Sequence, residues 1–375
     1  MKAIINEIID IKLSTNYEYV LGSHLLDNLS DHVGLRHDQK LMILSDENVW
    51  ELYGMRINNS FSSHKERVEI LVIKPGEEEK NFANLQLIVD RLAEGLFRST
   101  DLLLCIGGGV ICDLGGLAAG LYMRGMKHVL VTTTTLAAVD AGVGGKTAIN
   151  LQQGKNLLGL FKQPSRVICD IEAFDSLSDR IFYEGLVEAI KMAFISSAPM
   201  LNLFRKDIRT DKTCLLELIK VSVKYKYLLV KKDEYDKNER LKLNFGHTLA
   251  HAIEAKGDYK LRHGEAVAIG MAYMTTLSEK RGLIPASVNY SRLGEKFKGK
   301  SASQILIDIL SQYGLPSKLD YRIDDLIDYM SLDKKNRGQL IKLVLLEDIG
   351  KAVIKDISQG ELGEFLKYEQ VSKGK

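Results

Sequence analysis

"LLLCIGGGVICDLGGLAAG", from Leu102 to Gly120, reads as a short apolar strand, a glycine triplet and a helix of small residues. Glycines let a backbone approach a ligand closely, and free amides at a helix start favour an anion such as pyrophosphate. The series Gly107-x-Gly109-x-x-Cys112 falls one residue short of the dinucleotide fingerprint, so tight packing of helix on sheet competes as an explanation. The flanking sequence strengthens the nucleotide reading. "KLMILSD" (40–46) is another apolar run, ending beside Asp46 and Asn48, where ribose hydroxyls are commonly read in such sheets. "RVEILVIKPGEEEK" (67–80) runs from a strand into a loop carrying Glu77 and Lys80, and "NLQLIVDRLAEGLF" follows with helical period. "HVLVTTTT" (128–135) and "RVICD" (166–170) complete a series of buried-looking strands separated by helical stretches. That series predicts a parallel sheet with helices on both faces.

After about Ser178 the strand signal fades. "EGLVEAIKMAFI", "CLLELIKVSVKYKYLLV", "GHTLAHAIEA" and "GEAVAIGMAYMTTLSEKRG" all carry the helical period. The expected fold is α/β: a Rossmann-like nucleotide-binding domain over 1–178, followed by a mostly α-helical metal- and substrate-binding domain over 179–375. The length of 375 residues fits two such domains.

Composition narrows the function classes. Hydrophobic residues make up 45% and charged residues 27%, as in ordinary globular proteins. A net charge of +2 without a basic stripe gives no electrostatic case for nucleic acid. Cys105, Cys112, Cys169 and Cys214 show neither CxxC pairing nor a disulfide framework, which suits free thiols in a reducing compartment. The N-terminus does not read as a signal peptide, and nothing supplies about eighteen uninterrupted apolar residues for a membrane span. A cytoplasmic protein is expected.

Two further stretches carry chemistry. "VDAGVGGKTAINLQQGKN" (139–156) offers Asp140, Lys146, Lys155 and Asn156 on what reads as a glycine-rich loop; its lysines suit a phosphate, although the pattern is not a Walker A and a solvated loop would look similar. "LNFGHTLAHAIEAKGDYKLRHGEAVAIGM" (243–271) holds three of the eight histidines: His247, His251 and His263. On the helix "EGLVEAIKMAFI", Glu188 and Lys191 are neighbours at i and i+3, a spacing that an ordinary surface ion pair would also show. One carboxylate and two imidazoles hold a divalent ion with a position open for a substrate oxygen, and Glu188 with two of the three histidines meets that count. Spacing alone leaves open which two.

Taken in order, "GGGVICDLGGLAAGLYMRG", "VDAGVGGKTAINLQQGKNLLGLFKQP", "GLVEAIK", "RLKLNFGHTLAHAIE" and "HGEAVAIGMAYM" resemble the 3-dehydroquinate synthase family of sugar phosphate cyclases. The resemblance runs from "SDENV" to "DKKNRGQLIKLVLLEDIG". It implies a lyase of the shikimate pathway of aromatic amino acid biosynthesis, with NAD, a divalent metal (zinc or cobalt), and the substrate 3-deoxy-D-arabino-heptulosonate 7-phosphate. A homodimer is expected, with a phosphorylated sugar acid as its small-molecule partner. It implies Glu188, His247 and His263 as metal ligands, and Asp46, Asn48, Glu77, Lys80, Gly108, Gly109, Asp113, Thr133, Thr134, Lys155 and Ser176 as the NAD set. Substrate binding falls on Arg124, Asp140, Lys226, Arg240, Asn244 and the lysines Lys334 and Lys335. Catalytic roles fall on Lys146, Asn156, Lys191, Asp236 and His251, the last beside the substrate phosphate rather than on the metal. The chain departs from the family pattern at Cys112 (usually glycine), Thr132 (commonly proline), Ser176 in "DSLSDR" (threonine) and Asp236 (often glutamate). The alternatives are another cyclase, of the 2-deoxy-scyllo-inosose or valiolone synthase type, and a metal-dependent NAD polyol dehydrogenase. Arg240 and Asn244 argue against carboxylate-free substrates, and the lysine stretch argues against a simple polyol.

Overall fold

A computed structural model describes residues 4–257, 260–321, 325, 326, 330 and 340–373, with side chains to residue 369. The described chain divides into two compact units. One holds the stretch up to Phe182 together with Ile219–Tyr235, and the other holds Tyr183–Leu218 and the chain from Asp236 onward.

In the first unit the elements are β1 (Ile4–Ile11), β2 (Tyr17–Ser23), α1 (Leu29–Val33), β3 (Leu41–Asp46), α2 (Glu47–Ser60), β4 (Val68–Ile73), α3 (Phe82–Glu94), β5 (Leu102–Gly107), α4 (Gly109–Leu121), β6 (Lys127–Thr132), β7 (Lys146–Leu151), β8 (Gly154–Phe161) and β9 (Arg166–Asp170). Seven strands form one sheet in the order β1-β2-β9-β6-β5-β3-β4, parallel except for β1, which pairs antiparallel with β2. Every residue of β5 is buried, as is nearly all of β3, β6 and β9. Such strands are apolar throughout because helices cover both of their faces. On one face Leu29, Val49, Tyr53, Ile57 and Phe61 pack on Ile43, Leu104, Val129 and Ile168. On the other, α4 lies so close to β5 that a Cβ at Gly115 would collide with Cys105 Sγ.

The winding positions the nucleotide loop. From β3 the chain moves outward to β4, then crosses back to β5 and continues the other way through β6 to β9. The direction reverses between β3 and β5, and doubly wound sheets bind ligands outside the carboxyl ends of the strands at that reversal. Asp46 ends β3 and Gly107 ends β5.

The five strands expected from the apolar runs correspond to β3, β4, β5, β6 and β9. The stretch expected as a glycine-rich lysine loop takes a different form. Ala137–Ala141 is a π-helix carrying Asp140, and Lys146–Leu151 and Gly154–Phe161 form an antiparallel hairpin turning at Gln152 and Gln153. Its polar residues belong to a two-stranded sheet with one face open, so they are no bar to strand.

In the second unit, α5 (Asp179–Ser196) and α6 (Lys212–Lys232) supply the parts from Tyr183 and up to Leu218, and α7 (His247–Lys256), α8 (His263–Lys280) and α9 (Ala302–Gln312) follow. The chain then forms an antiparallel hairpin, β10 (Leu340–Asp348) with β11 (Lys351–Ser358), and closes with α10 (Gln359–Lys373). The unit is helical apart from that hairpin, which the fading strand signal did not lead one to expect. Helix α8 is buried from Gly264 to Met274 without a break, the mark of a helix at the centre of its unit.

Candidate active site

Glycine brings two of the helices of the second unit together. Gly246, at φ +81°, begins α7 in the left-handed region, and a Cβ there would sit 2.7 Å from Met271 N. A Cβ at Gly270 would strike the Gly246 carbonyl. Helices α7 and α8 therefore touch backbone to backbone, and His247 opens one while His263 opens the other. Helix α5 fixes the third member. Glu184 Oε2 accepts from Gly264 N at 3.0 Å, and one turn later Glu188 lies buried beside the two imidazoles. Glu184, with its carboxyl held above the usual range by burial despite Gly264 N–H and Arg262, is a residue the sequence reading missed.

Glu188, His247 and His263 each offer one ligand atom within 4.8 Å of the others. His247 Nε2 lies 3.6 Å and His263 Nε2 3.8 Å from Glu188 Oε1. His247 Nδ1 is 3.2 Å from Phe245 O. A carbonyl can only accept, so Nδ1 carries the proton and Nε2 keeps its lone pair. Burial, then the nearby Lys191 ammonium and the other two imidazoles, hold the His247 pKa well below the usual value, so the ring is neutral at pH 7. Glu188 is 2% exposed; its Oε2 contacts the Lys191 ammonium, while Oε1, which faces the two imidazoles, has no hydrogen-bond partner among the described residues. Lys191 compensates Oε2, but Oε1 and the Nε2 lone pair of His247 still converge on one point, and a cation there would relieve their repulsion. The donor set fits a divalent ion.

Two of the expected neighbours, Lys191 and His251, stand beside this set. Lys191 Nζ contacts Glu188 Oε2, and both side chains are 2% exposed, so this pair is buried and not a surface ion pair. His251 is exposed on α7, its ring centre 5.7 Å from that of His247. Arg240, in the short helical stretch Glu239–Asn244, is the largest fully buried side chain among the described residues, and Asn244 ends the same stretch half-buried. Asp236 stands at φ +57°. Lys334 and Lys335 lie outside the described residues.

The first unit brings a second group together. Gly108 and Gly109 begin α4; Gly108 offers no side-chain cap, and an added Cβ at Gly109 would meet only Ala141, at 3.8 Å. Gly107 and Gly115, by contrast, are filled from inside by Ile111 and Cys105. The triplet thus serves packing and approach at different positions. Lys80 is 4% exposed and donates to Asp113 Oδ2 (2.5 Å) and Asn156 Oδ1 (2.6 Å). Burial opposes its charge, but the carboxylates of Asp113 and Glu77 outweigh it, and the Lys80 pKa stays above the usual value. Burial raises the Asp113 carboxyl against the pull of Lys80. Asn150, another residue the sequence reading missed, donates to Glu77 Oε1 (2.8 Å) and accepts from Asn156 N (2.9 Å). It ties Glu77 to the hairpin. Asp46 caps α2 through Val49 N, and Asn48 is exposed in that helix's first turn. Thr133 and Thr134 follow β6; Thr133 N donates to Gly107 O, and a Cβ on Gly108 would lie 3.2 Å from Thr134 Cγ2. Lys226 donates to both the carbonyl and Oδ1 of Asp140, each at 2.5 Å. Lys146 begins β7 exposed, and Lys155 lies half-buried on β8.

One expected position, Ser176, is already engaged in structural bonds. The Ser176 hydroxyl accepts from Tyr53 and donates to Ala173 O. Cys112, where the family usually has glycine, is buried in α4, its thiol pushed up by burial and its Sγ 4.0 Å from Gly107 O. Among the described residues six that are not glycine adopt positive φ, and three of them (Arg124, Asn156 and Asp236) are expected site residues. Strained backbone of this kind collects where function requires a particular side-chain direction.

The domain description "3-dehydroquinate synthase N-terminal" matches residues 70–184, and "3-dehydroquinate synthase C-terminal" matches 185–336. The 3-dehydroquinate synthase of Clostridium botulinum (strain Alaska E43 / Type E3) is 36% identical over 353 residues, covering 93% of this chain and 97% of its own. The chain belongs to the 3-dehydroquinate synthase family. Solved structures agree on the fold of this family member. 2-epi-5-epi-valiolone synthase from Streptomyces hygroscopicus subsp. jinggangensis 5008, solved with NAD+ and Zn2+, superposes with a TM-score of 0.83 at 26% identity, covering 97% of this chain and 99% of its own. 2-deoxy-scyllo-inosose synthase, complexed with carbaglucose-6-phosphate, NAD+ and Co2+, gives 0.82 at 22% identity, covering 96% and 100%.

Proposed function

We propose that this member of the family converts 3-deoxy-D-arabino-heptulosonate 7-phosphate to 3-dehydroquinate and phosphate, the lyase step of its family's name. The observation that carries the reading is the donor set of buried Glu188 with His247 and His263, standing in a chain that matches the family through both domains. Zinc or cobalt bound there supplies a Lewis acid for a substrate hydroxyl, and NAD supplies a hydride acceptor that gives the hydride back.

The chain's own residues do the rest. Gly108 and Gly109, with the amides that follow, cradle the cofactor's pyrophosphate. Asp46, at the end of β3, and Asn48, just beyond it, meet ribose hydroxyls. Glu77, Lys80, Asp113, Thr133, Thr134 and Lys155 line the rest of the nucleotide. Ser176, which accepts from Tyr53 and donates to Ala173 O, contributes at its edge through its second acceptor lone pair. Lys146 and Lys191, with Asn156 and Asn244, neutralise the substrate phosphate and hold the reacting atoms in line. The exposed His251 carries the proton that leaves as phosphate departs, alone or with the phosphate as partner. Asp236, one methylene shorter than the common glutamate, accepts a proton at the same stage. Arg240 and Lys226 take the substrate carboxylate, the guanidinium by a two-pronged contact. Arg124, Asp140 and a lysine of the pair Lys334 and Lys335 complete the substrate set. The working form is proposed as a cytoplasmic homodimer; among the described residues no helix is long and apolar enough to cross a membrane.

The test is release of phosphate from the heptulosonate phosphate by the zinc-loaded protein with NAD. Phosphate and dehydroquinate should form one to one, and His263→Ala should lose both bound zinc and turnover while keeping its folded circular dichroism. Glucose 6-phosphate consumed in preference to the acid would transfer the reading to the inosose-type cyclases.

A further inference from the structure

On α7 the positions 247, 251 and 254 share one face, since steps of four and three return to the same side of a helix. His247 and His251 already belong to the candidate site. The third is Glu254, a carboxylate 3% exposed, and its Oε2 lies 3.5 Å from His263 Nδ1. The two imidazoles of the donor set therefore have different groups behind them: His247 hydrogen-bonds to the neutral carbonyl of Phe245, and His263 Nδ1 faces an ionisable carboxylate at 3.5 Å. The other nitrogen of each ring, Nε2, faces Glu188.

We infer that Glu254 is a positioning residue that orients His263 and strengthens it as a metal ligand. This rests on the reading of Glu188, His247 and His263 as the metal site. A carboxylate behind a ligating imidazole fixes the Nδ1–H tautomer, so the Nε2 lone pair faces the ion, and it raises the ring's basicity. The site needs such support at His263 more than at His247. His263 is the first residue of α8 and its side chain is 31% exposed, against 13% for His247, so its ring is less confined by packing. A buried carboxylate also has to be accounted for. Placing Glu254 in an interior costs stability, and strengthening a ligand is a return that an apolar residue could not give. Glu254 also adds negative charge near an ion whose one carboxylate ligand shares its charge with Lys191.

The experiment measures Co(II) and Zn(II) affinity by competition with a chelator, together with the visible absorption of the Co(II) form, for the parent and the variants Glu254→Gln, Glu254→Ala and His263→Ala. Glu254→Gln keeps size and an oxygen that can accept from Nδ1–H but loses the charge. It should bind metal roughly ten- to hundredfold more weakly and shift the cobalt bands, with Glu254→Ala weaker still. Thermal unfolding of the metal-free proteins separates this from a structural role, which would lower the melting temperature while leaving affinity and spectrum alone. Should Glu254→Gln not fold, Glu254→Asp carries the test: it keeps the charge but falls short of the ring, and should weaken binding and move the spectrum. Parent affinity and spectrum in the folded Glu254 variants, with metal lost from His263→Ala, overturn the role of Glu254 alone. Metal kept at parent strength by His263→Ala overturns the metal site itself.

Discussion

Replacing Lys191 by methionine should destabilise the metal-free protein strongly and the zinc-loaded protein much less. Lys191 and Glu188 are both 2% exposed, and the ammonium contacts one carboxylate oxygen. Removing one member of a buried pair leaves the other charge without compensation, at a cost of about 3–5 kcal/mol. Methionine keeps the unbranched stem, so lost packing adds little. For a cooperative unit of this general size each kcal/mol moves the midpoint by roughly 2–4 °C, giving a drop of roughly 6–20 °C in chelator. Zinc beside the same carboxylate supplies the missing positive charge, so most of the gap between variant and parent should close when metal is added. Differential scanning calorimetry of both proteins, in EDTA and in excess zinc, reads this directly. A gap in EDTA worth less than about 1 kcal/mol, or one that zinc leaves unchanged, would refute the argument that ammonium and metal share Glu188.

Three other outcomes follow from named contacts. Arg240→Ala should lower kcat/KM for the acid substrate roughly ten- to more than hundredfold, the loss of one charge-assisted contact worth about 1.5–3 kcal/mol, and unchanged kinetics would remove Arg240 from the carboxylate site. Lys80→Met, which strips the cation from Asp113 and Asn156, should cost about 3–5 kcal/mol of stability and weaken NAD binding by calorimetric titration; parent-like NAD affinity would place the nucleotide elsewhere. His128 is buried in β6 with its pKa pushed down to about 3. The unfolded chain takes up that proton near pH 6.5 and the native chain does not, so stability falls on acidification between those values by about 1.4 kcal/mol per pH unit. His128→Leu should flatten the acid limb by that slope, and an unaltered slope would contradict the burial argument.

The parallel sheet was legible because β3, β5, β6 and β9 are buried on both faces and so read as unbroken apolar runs. The hairpin of β7 and β8 was not legible: Lys146, Asn150 and Lys155 sit on a small two-stranded sheet with an open face, and their polarity imitates a loop. The β10–β11 hairpin was missed although its inward residues are apolar, because its helical surroundings carried the stronger period. At the site, the histidine positions were visible, and the family resemblance sorted them where spacing did not. Spacing put His251 on the same face as His247, whereas the close approach of Gly246 to Gly270 and the Glu184–Gly264 bond bring His263 to His247 beside Glu188. Glu184 and Glu254 stayed hidden because a carboxylate on a helix ordinarily faces water, and nothing local in the sequence marks these two as buried.

The central claim is that the chain carries out an elimination through a transient oxidation, with the hydride returned before product leaves. The most direct measurement follows absorbance of NADH alongside phosphate release while the zinc-loaded protein turns over the heptulosonate phosphate. Turnover should release many equivalents of phosphate per protein with no NADH accumulating, and deuterium placed at the oxidised carbon should be found again at that carbon in the product. NADH rising in step with substrate loss would contradict that claim and make the chain a dehydrogenase.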